Sequence, residues 1–510
     1  MKNFSKIAFL LFLSAVIVVP LVPAQTWGDA TRITTSSGAD ERPQGCVAPS
    51  GNIQAVWHYG YNDSYTARSV DGGLTWTDHT KLNMMSGTVE PTICCTSNGT
   101  FHLVMSTLNS SSHAYLKSSN GTSWDTYFLD WGSSPNSGPA TIVADSSDYL
   151  HVVWTDMQPG GAVKYVRSTS GGGSSWDSVI TLGTGVANNH ASMCADSNGG
   201  VHVVWVDDPN GTYEVNYLRS TDSGDTWENV VELTDPPYVT YDPKICADSN
   251  GNLHLMWLDE RSGAPIEVYY RRSVDGGTTW ENEVRLTNSS VHNFNANVCA
   301  DTLGNVYVSW NSAADGDDEV MLISSSDSGA TWGTATNLTD NAENDSMPFM
   351  FIDGAGKINM LFMSDREAGN KDVYFRLGEQ SGLVDPMVDV KCNGQDSGVQ
   401  VAKTENCTLT IEVFAGDYLG TRCDVFVLAQ NLDSGAFYSY GYYDFPKWKA
   451  VPGNEYYTGP LNDIPLKTIL DQRMPVGSYK AWLILEHRAN GKLNQSAIDF
   501  YDEVDITVVP

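Results

Sequence analysis

Residues 243–287 read PKICADSNGNLHLMWLDERSGAPIEVYYRRSVDGGTTWENEVRLT. Three runs of strand length, PKICADSNG, NLHLMWLDE and IEVYYRRS, carry alternating apolar residues. The Gly-rich turn VDGGTTW and a fourth run, ENEVRLT, follow them. Alternation with a period of two indicates half-buried strands, so this stretch predicts a sheet unit of four short strands.

The turn of this unit recurs along the chain. Full copies of the pattern Ser-x-Asp-x-Gly-x-Thr-Trp end at Trp76, Trp227, Trp280 and Trp332, and weaker copies end at Trp124 and Trp176. An Asp that accepts backbone N–H groups and a Gly with positive φ suit a tight hairpin. The pattern resembles the Asp box of sialidase-type (BNR) β-propellers, and the resemblance covers roughly residues 27–376.

The repeat count predicts seven blades. Innermost strands are expected to begin near Gln44, Thr92, Thr141, Ser192, Lys244, Asn297 and Phe349. The seventh unit lacks an Asp box and a fourth strand, whereas residues 26–34, TWGDATRIT, match the end of the unit at residues 279–287. We therefore expect the N-terminal strand to complete the last blade and close the ring.

The chain is expected to be all-β and to divide into four segments. Residues 1–24 are predicted to be a signal peptide, because Lys2 and Lys6 precede an apolar run that ends in a small-residue cleavage site. Residues 25–377 form the seven-bladed propeller, residues 378–386 a linker and residues 387–510 a β-sandwich domain with alternating strands. This organisation predicts a protein that is secreted, periplasmic or held at the cell surface.

Composition narrows the choice of partner. The net charge of −32 argues against nucleic acid, which requires a cationic footprint. No stretch after residue 24 has the length of apolar sequence that a spanning helix needs, so no membrane insertion is expected. An extracellular glycan or protein remains as the expected ligand, without a cofactor or metal, and no oligomeric state is predicted.

Two sets of reactive residue types belong to the repeat itself. The cysteines of the innermost strands are expected to stay unbridged, because facing sheets are too far apart for a disulfide; they are Cys46, Cys94, Cys194, Cys246 and Cys299. A bridge within the second domain could join two of Cys392, Cys407 and Cys423. Four histidines at one position of the second strand, and the Asp residues of the boxes, are interpreted as structural.

Candidate ligand-binding residues lie in loops that break the repeat at one face of the predicted propeller. They are Arg42, Arg366, Arg261, Asp259, Asp365, Glu41, Tyr241, His190 and His292. The three arginines could bind a carboxylate-bearing ligand, because a guanidinium group pairs with a carboxylate through two hydrogen bonds. We expect Asp259, Asp365 and Glu41 to hold these guanidinium groups when no ligand is present.

The family resemblance implies an arginine triad, a Tyr nucleophile assisted by Glu and an Asp acid/base. The Phe/Tyr-Arg-Ile-Pro motif that supplies the first arginine is absent, and only Glu41-Arg42-Pro43 lies nearby. Non-catalytic recognition of an extracellular glycan or protein is therefore the leading hypothesis. An exo-sialidase or related glycoside hydrolase, and a structural component of the cell surface, are the alternatives.

Overall fold

The computed structural model describes residues 25–380 except for short gaps, and the strand backbone of residues 387–509. The gaps are 61–62, 83–87, 108–112, 130–137, 157–159, 171, 209–212, 235–238, 262–264, 314–315, 354–355 and 368–369. The predicted signal peptide, residues 1–24, lies outside the described residues. Among the described residues, no helix is long and apolar enough to cross a membrane.

Within residues 25–380, the described strands form seven blades of antiparallel strands. The first strands of the chain are β1 (Gln25–Trp27) and β2 (Thr31–Arg32). Blade 1 contains β3 (Asp40–Val47), β4 (Ile53–Tyr59), β5 (Asp63–Ser69) and β6 (Thr80–Lys81). Blade 2 contains β7 (Thr88–Cys95), β8 (Phe101–Thr107), β9 (His113–Ser118) and β10 (Asp125–Leu129). Blade 3 contains β11 (Thr141–Ala144), β12 (Leu150–Asp156), β13 (Ala162–Ser168) and β14 (Ile180–Thr184).

The remaining blades repeat this arrangement. Blade 4 contains β15 (Val186–Ala195), β16 (Val201–Asp207), β17 (Glu214–Ser220) and β18 (Val231–Glu232). Blade 5 contains β19 (Thr240–Ala247), β20 (Leu253–Asp259), β21 (Glu267–Ser273) and β22 (Val284–Arg285). Blade 6 contains β23 (Asn293–Ala300), β24 (Val306–Ser312), β25 (Glu319–Ser325) and β26 (Thr336–Asn337). Blade 7 contains β27 (Asp345–Ile352), β28 (Ile358–Glu367) and β29 (Asn370–Gln380).

The ring closes as the sequence predicts. Strand β29 pairs with both N-terminal strands, with Trp27 opposite Gly378 and Thr31 opposite Phe375. Each innermost strand contacts the innermost strand of the next blade, and β27 contacts β3. The seven-bladed architecture and its closure by the N-terminal strand are thus confirmed.

Neighbouring blades are held together by residues that the repeat supplies. In blade 4 the Tyr217 hydroxyl lies 2.8 Å from His202 Nδ1, and its ring meets Trp280 of the next Asp box edge-on at 5.0 Å. The same tyrosine lies against Gly277 of that box. Equivalent His–Tyr hydrogen bonds join His102 to Tyr115, His151 to Tyr165 and His254 to Tyr270. The histidines are buried in these contacts, which agrees with their structural interpretation.

The Asp of the box stabilises its own turn. In blade 1, Asp71 accepts hydrogen bonds from Thr75 N at 2.9 Å and from the Thr75 hydroxyl at 2.5 Å. These bonds from Thr75, with a further one from Ser69, lower the pKa of Asp71 to about 2. The inner-strand cysteines are free in the structure, as predicted, and so is Cys95.

The C-terminal strands form two sheets, one of three strands and one of six, which completes an all-β fold with a β-sandwich after the propeller. The strands are β30 (Met387–Cys392), β31 (Val399–Ala402), β32 (Cys407–Phe414), β33 (Arg422–Asn431), β34 (Phe437–Ser439), β35 (Tyr457–Pro460), β36 (Ile464–Gln472), β37 (Gly477–Glu486) and β38 (Phe500–Val509). The side chains of this segment lie outside the described residues. A disulfide among Cys392, Cys407 and Cys423, and the domain limits at 377 and 387, therefore stay predictions.

Candidate functional site

Five of the innermost strands share a β-bulge near their start. The pairing register with the second strand shifts by one residue there. Two residues of the inner strand therefore lie opposite a single residue of the second strand. The first bulge residue has a positive φ in each case: Arg42 (54°), Glu90 (54°), Asp242 (43°), Asn295 (51°) and Met347 (52°). Left-handed backbone at a residue other than Gly costs roughly 1–2 kcal/mol, and a bulge redirects its side chain.

The backbone of the bulge is common to these blades, but its side chain is different in every one. The backbone conformation at this position is the same in the five blades, whereas the side chain differs. Such a position can contribute a specific group to a ligand site without changing the fold. All five bulge residues line a cavity of about 470 Å³ between the innermost strands. His190 of blade 4 lines the same cavity, as do Lys244 and Phe349, which lie two residues beyond their bulges.

Opposite charges meet in this cavity. Arg42 donates a hydrogen bond to the Glu90 carboxylate in an ion pair between blades 1 and 2. Burial raises the pKa of Glu90, the positive charges of Arg42 and Lys244 oppose that rise, and the carboxylate of Asp242 adds to it. Charged groups from blades 1, 2 and 5 therefore act on one another in the channel.

His190 is neutral at neutral pH. Burial, together with the positive charges of Lys244 and Arg42 and against the carboxylate of Asp242, lowers its pKa to about 4. A neutral imidazole can both donate and accept a hydrogen bond. His190 therefore lines the cavity without adding charge.

Two charged side chains of the cavity make no hydrogen bond or ion pair with another described residue. Asp242 and Lys244 make no hydrogen bond or ion pair with any other residue that the structure describes, although both influence Glu90 and His190 electrostatically. Both are half-buried. They are thus a carboxylate and an ammonium group of the cavity that a ligand can engage without displacing an internal partner.

Among the predicted site residues, Arg42 and His190 line the cavity, whereas Arg261 does not. Arg261 pairs with Asp259 at 2.6 Å and with Glu283, and its guanidinium group lies 4.0 Å from the centre of the Tyr269 ring. The expected role of Asp259 as a partner of Arg261 is therefore found. These contacts hold Arg261 on strands of its own blade.

Arg366 is also outside the cavity lining, and its partner differs from the expected one. It pairs with Asp345 at 2.7 Å, whereas Asp365 accepts hydrogen bonds from Asn344 N at 2.8 Å and from the Asn344 side chain at 3.0 Å. Asp365 lies in strand β28, and its carboxylate binds Asn344, the residue before the start of β27. Arg366 is thus committed to a fully buried carboxylate within its own blade.

Glu41 does not hold Arg42. Its carboxylate accepts a hydrogen bond from Lys371 Nζ at 2.8 Å, which links blade 1 to blade 7. Arg42 turns instead to Glu90, because the bulge directs its side chain toward the channel. Two of the three guanidinium partners that the sequence suggested are therefore wrong.

Tyr241 and His292 lie beside their bulges rather than in the cavity lining. The Tyr241 hydroxyl donates to Glu260 at 3.1 Å, and its ring meets Tyr213 edge-on at 6.3 Å. His292 Nδ1 accepts a hydrogen bond from Ile266 N at 3.1 Å, and its ring stacks on Phe294 at 5.7 Å. Each side chain thus contacts its own blade and the residue that precedes the third strand of the blade before it.

Sequence reasoning missed most of the cavity as a site. The residues absent from the predicted set are Glu90, Asp242, Lys244, Asn295, Met347 and Phe349. A signal for them was present, because a proline follows the bulge residue in four blades, at Pro43, Pro91, Pro243 and Pro348. The proline recurs from blade to blade while the residue before it changes. This pattern indicates a backbone conformation that the blades share and a side chain that differs between them. Among the described residues, no cluster of three or more His, Cys, Asp or Glu side chains could hold a metal ion.

Residues 25–255 match the family described as BNR repeat-like domain, and no curated protein matches the chain. Similar solved structures include a protein of unknown function from Dyadobacter fermentans, with 14% identity over 70% of this chain and 100% of the other, at a TM-score of 0.48. A PL25 ulvan lyase has 11% identity over 68% and 95%, at 0.49. An α-L-arabinanase of Penicillium chrysogenum, complexed with arabinobiose, has 16% identity over 69% and 98%, at 0.42. At these values the likenesses say nothing about the activity of this chain.

Proposed function

The propeller is of the sialidase-like, BNR-repeat type, and from this premise we propose that the protein binds an extracellular glycan at the mouth of its channel without transforming it. The observation that carries the proposal is the cavity lined by bulge residues. These residues are held by a common backbone, and each blade contributes a different chemical group. A concave site with a few convergent polar groups is the usual form of a small-ligand site.

The arrangement of the arginines supports recognition rather than sialidase chemistry. An arginine triad would need three guanidinium groups free to meet one carboxylate. Arg261 and Arg366 are each engaged by buried carboxylates of their own blades, and only Arg42 reaches the cavity. None of the described residues that line the cavity is a tyrosine, the residue type that a sialidase uses as nucleophile.

A second candidate, a glycoside hydrolase of another type, is favoured by one observation. Glu90 and Asp242 line the same cavity, and burial raises the pKa of Glu90 while Asp242 adds to that rise. Glycosidases use two carboxyl groups, one of which is kept protonated by its surroundings. Glu90 would be the acid in such a pair, and Asp242 would be the base or nucleophile.

We propose as well that the protein acts outside the cytoplasm. The support is the predicted signal peptide of residues 1–24, with its basic start and its apolar run from Ile7 to Val19. The C-terminal β-sandwich would serve as a spacer or as a second binding module. N-terminal sequencing of the exported protein should give Gln25 as the first residue.

A glycan array probed with the full chain and two variants tests the function. The double variant Arg42→Ala/Asp242→Ala should bind the glycan at least tenfold more weakly. It removes from the cavity the guanidinium group that pairs with Glu90 and the carboxylate of Asp242. Arg261→Ala is the matched control, since it removes a guanidinium group outside the cavity, and it should leave binding unchanged. Failure of the full chain to bind any glycan would contradict the proposal.

The same preparation distinguishes the second candidate. Incubation with fluorogenic glycosides, including a sialoside, should release no fluorophore. Release that Glu90→Gln abolishes would establish the hydrolase instead, because this change removes the acid and keeps the shape of the side chain.

A further inference from the structure

The charged groups of the cavity balance one another. Among the described lining residues, Arg42 and Lys244 carry positive charge, whereas Glu90 and Asp242 carry negative charge. His190 is neutral, since its pKa is lowered to about 4. The described lining therefore has no net charge, within a chain whose net charge is −32.

An anionic ligand would gain little from this cavity. Arg42, the only arginine among the described residues of the lining, already pairs with Glu90. A carboxylate placed between Arg42 and Lys244 would lie beside Glu90 and Asp242, and like charges in a partly buried site repel strongly. To bind there, the ligand would have to displace Glu90 from Arg42 and leave a half-buried carboxylate without its partner.

A ligand with hydroxyl groups and no charge fits the same groups. A hydroxyl donates to the free carboxylate of Asp242 and accepts from the free ammonium group of Lys244, and hydrogen bonds to charged groups are the stronger ones. His190 lines the same cavity and is neutral. No internal ion pair needs to break for these bonds to form.

The wall formed by blade 7 is apolar. Met347 lies at the bulge, Phe349 lies two residues deeper, and its ring is 6.0 Å from Phe351. Phe349 is half-buried and lines the cavity, so part of it is available to a ligand. A sugar ring has one face of C–H groups and a rim of hydroxyls, so its C–H face suits Phe349 while its rim suits the charged groups.

We propose that the cavity binds the terminal unit of a neutral glycan, with its hydroxyls on Asp242 and Lys244 and its apolar face on Phe349. The inference rests on the proposed function and specifies its ligand class. It departs from the carboxylate-bearing ligand that the three arginines suggested in the sequence, because two of them are committed elsewhere.

The test uses pairs of array glycans that end in glucose or glucuronate, and in galactose or galacturonate, with the full chain at pH 7. The neutral member of a pair should bind at least tenfold more tightly than the uronate. Its binding should stay within about twofold between 0.05 M and 0.5 M NaCl, because salt screens charge attraction but not hydrogen bonds or ring contact.

Two variants assign the contacts. Phe349→Ala and Asp242→Asn should each weaken binding of the neutral glycan at least tenfold, while Phe128→Ala on an exposed outer strand should leave it unchanged. Unaltered thermal unfolding of Asp242→Asn shows that its loss is not a folding defect. Equal or tighter binding of the uronates would overturn this inference and leave glycan recognition standing, whereas absence of binding to every glycan would overturn both.

Discussion

Some histidines of this propeller pack between blades whereas His190 lines the cavity, and their position in the repeat decides which. His102, His151 and His202 each hydrogen-bond a tyrosine through Nδ1 at 2.7–2.8 Å and a Thr or Asp through Nε2. The Asp–His–Tyr chain has the composition of a catalytic relay, but it is buried between blades and recurs with the repeat. His190 occupies a bulge position that the repeat does not fix, and it faces the cavity.

We expect buried histidines to make the fold acid-sensitive. Burial, with the positive charge of Lys117, lowers the pKa of His102 to about 4, and burial lowers that of His113 to about 4. Because these values lie below the ordinary 6.5, the unfolded chain binds protons first as the pH falls. The stability from each group is complete above pH 6.5 and is lost between 6.5 and 4, by up to about 3 kcal/mol.

Urea unfolding between pH 7.5 and 4 measures this loss, and His102→Gln isolates one histidine. The variant keeps a hydrogen-bonding side chain without a proton to gain, so the difference in stability between wild type and variant should shrink as the pH falls. Carboxylates contribute equally to both proteins and cancel in that difference. A difference that stays constant down to pH 4.5 would contradict the assignment.

The Asp box joins the blade that carries it to the blade before it. Its Ser and Asp organise the turn: Ser273 accepts from Gly277 N at 2.8 Å, and Asp275 accepts from Thr279 N at 2.8 Å. The second glycine of the turn lies against the tyrosine of the preceding blade. The turn therefore needs this glycine for a contact between blades as well as for its backbone.

Adjacent glycines of one box separate these two requirements. Gly276 has φ +64° and nothing within 4 Å of an added Cβ, whereas Gly277 has φ +83° and an added Cβ would overlap Tyr217. Gly276→Ala should cost about 1 kcal/mol from backbone strain. Gly277→Ala should cost about 2 kcal/mol more, since the overlap displaces Tyr217 in a packed interface. Chemical denaturation measures both, and equal costs would show that the blade contact is unimportant.

The sequence repeat predicts the number and order of the strands but not the β-bulges at the start of the inner strands. Blade number and closure follow from apolar alternation and from the match of Trp27 to the box tryptophans, both of which are local patterns. The inner strands were expected to begin near Gln44 and its equivalents, whereas strand β3 begins at Asp40. The bulge explains this difference, because an extra residue breaks the alternation and made the first residues of the strand resemble a loop.

The candidate site was predictable only in part, for a related reason. Arg42 and His190, from the loops that break the repeat, line the cavity, and the ligand face itself stays a prediction. Which arginine points into the channel depends on competing carboxylates. Asp345 engages Arg366 and Glu283 engages Arg261, and both acids are distant in sequence from the arginine that they hold. Such pairings appear only when the strands are assembled.

At the scale of the whole molecule, the ring depends on contacts between its two ends. Thr34 donates to Asp372 at 3.0 Å and Arg32 pairs with Asp372 at 2.7 Å, which repeats within blade 7 the contacts of Thr287 and Arg285 with Glu267 in blade 5. In blade 5 these partners are 18–20 residues apart, whereas in blade 7 they are 338–340 apart. The closing contact thus ties the first residues of the propeller to its last blade.

We expect removal of residues 25–34 to open the ring. The truncated chain loses the strands that pair with β29 and the buried side chain of Ile33, so its free energy of unfolding should fall by at least about 3 kcal/mol. Strand β29 would then be an exposed edge that can pair with another chain, and the protein should elute earlier from a sizing column.

Thr34→Val is the control, because it keeps the strand and removes the hydroxyl that Val373 N and Asp372 share. It should lower stability by about 1–3 kcal/mol without changing elution, since the edge stays covered. A truncated protein with unchanged thermal unfolding and elution would mean that the other blades hold the ring closed without the N-terminal strand.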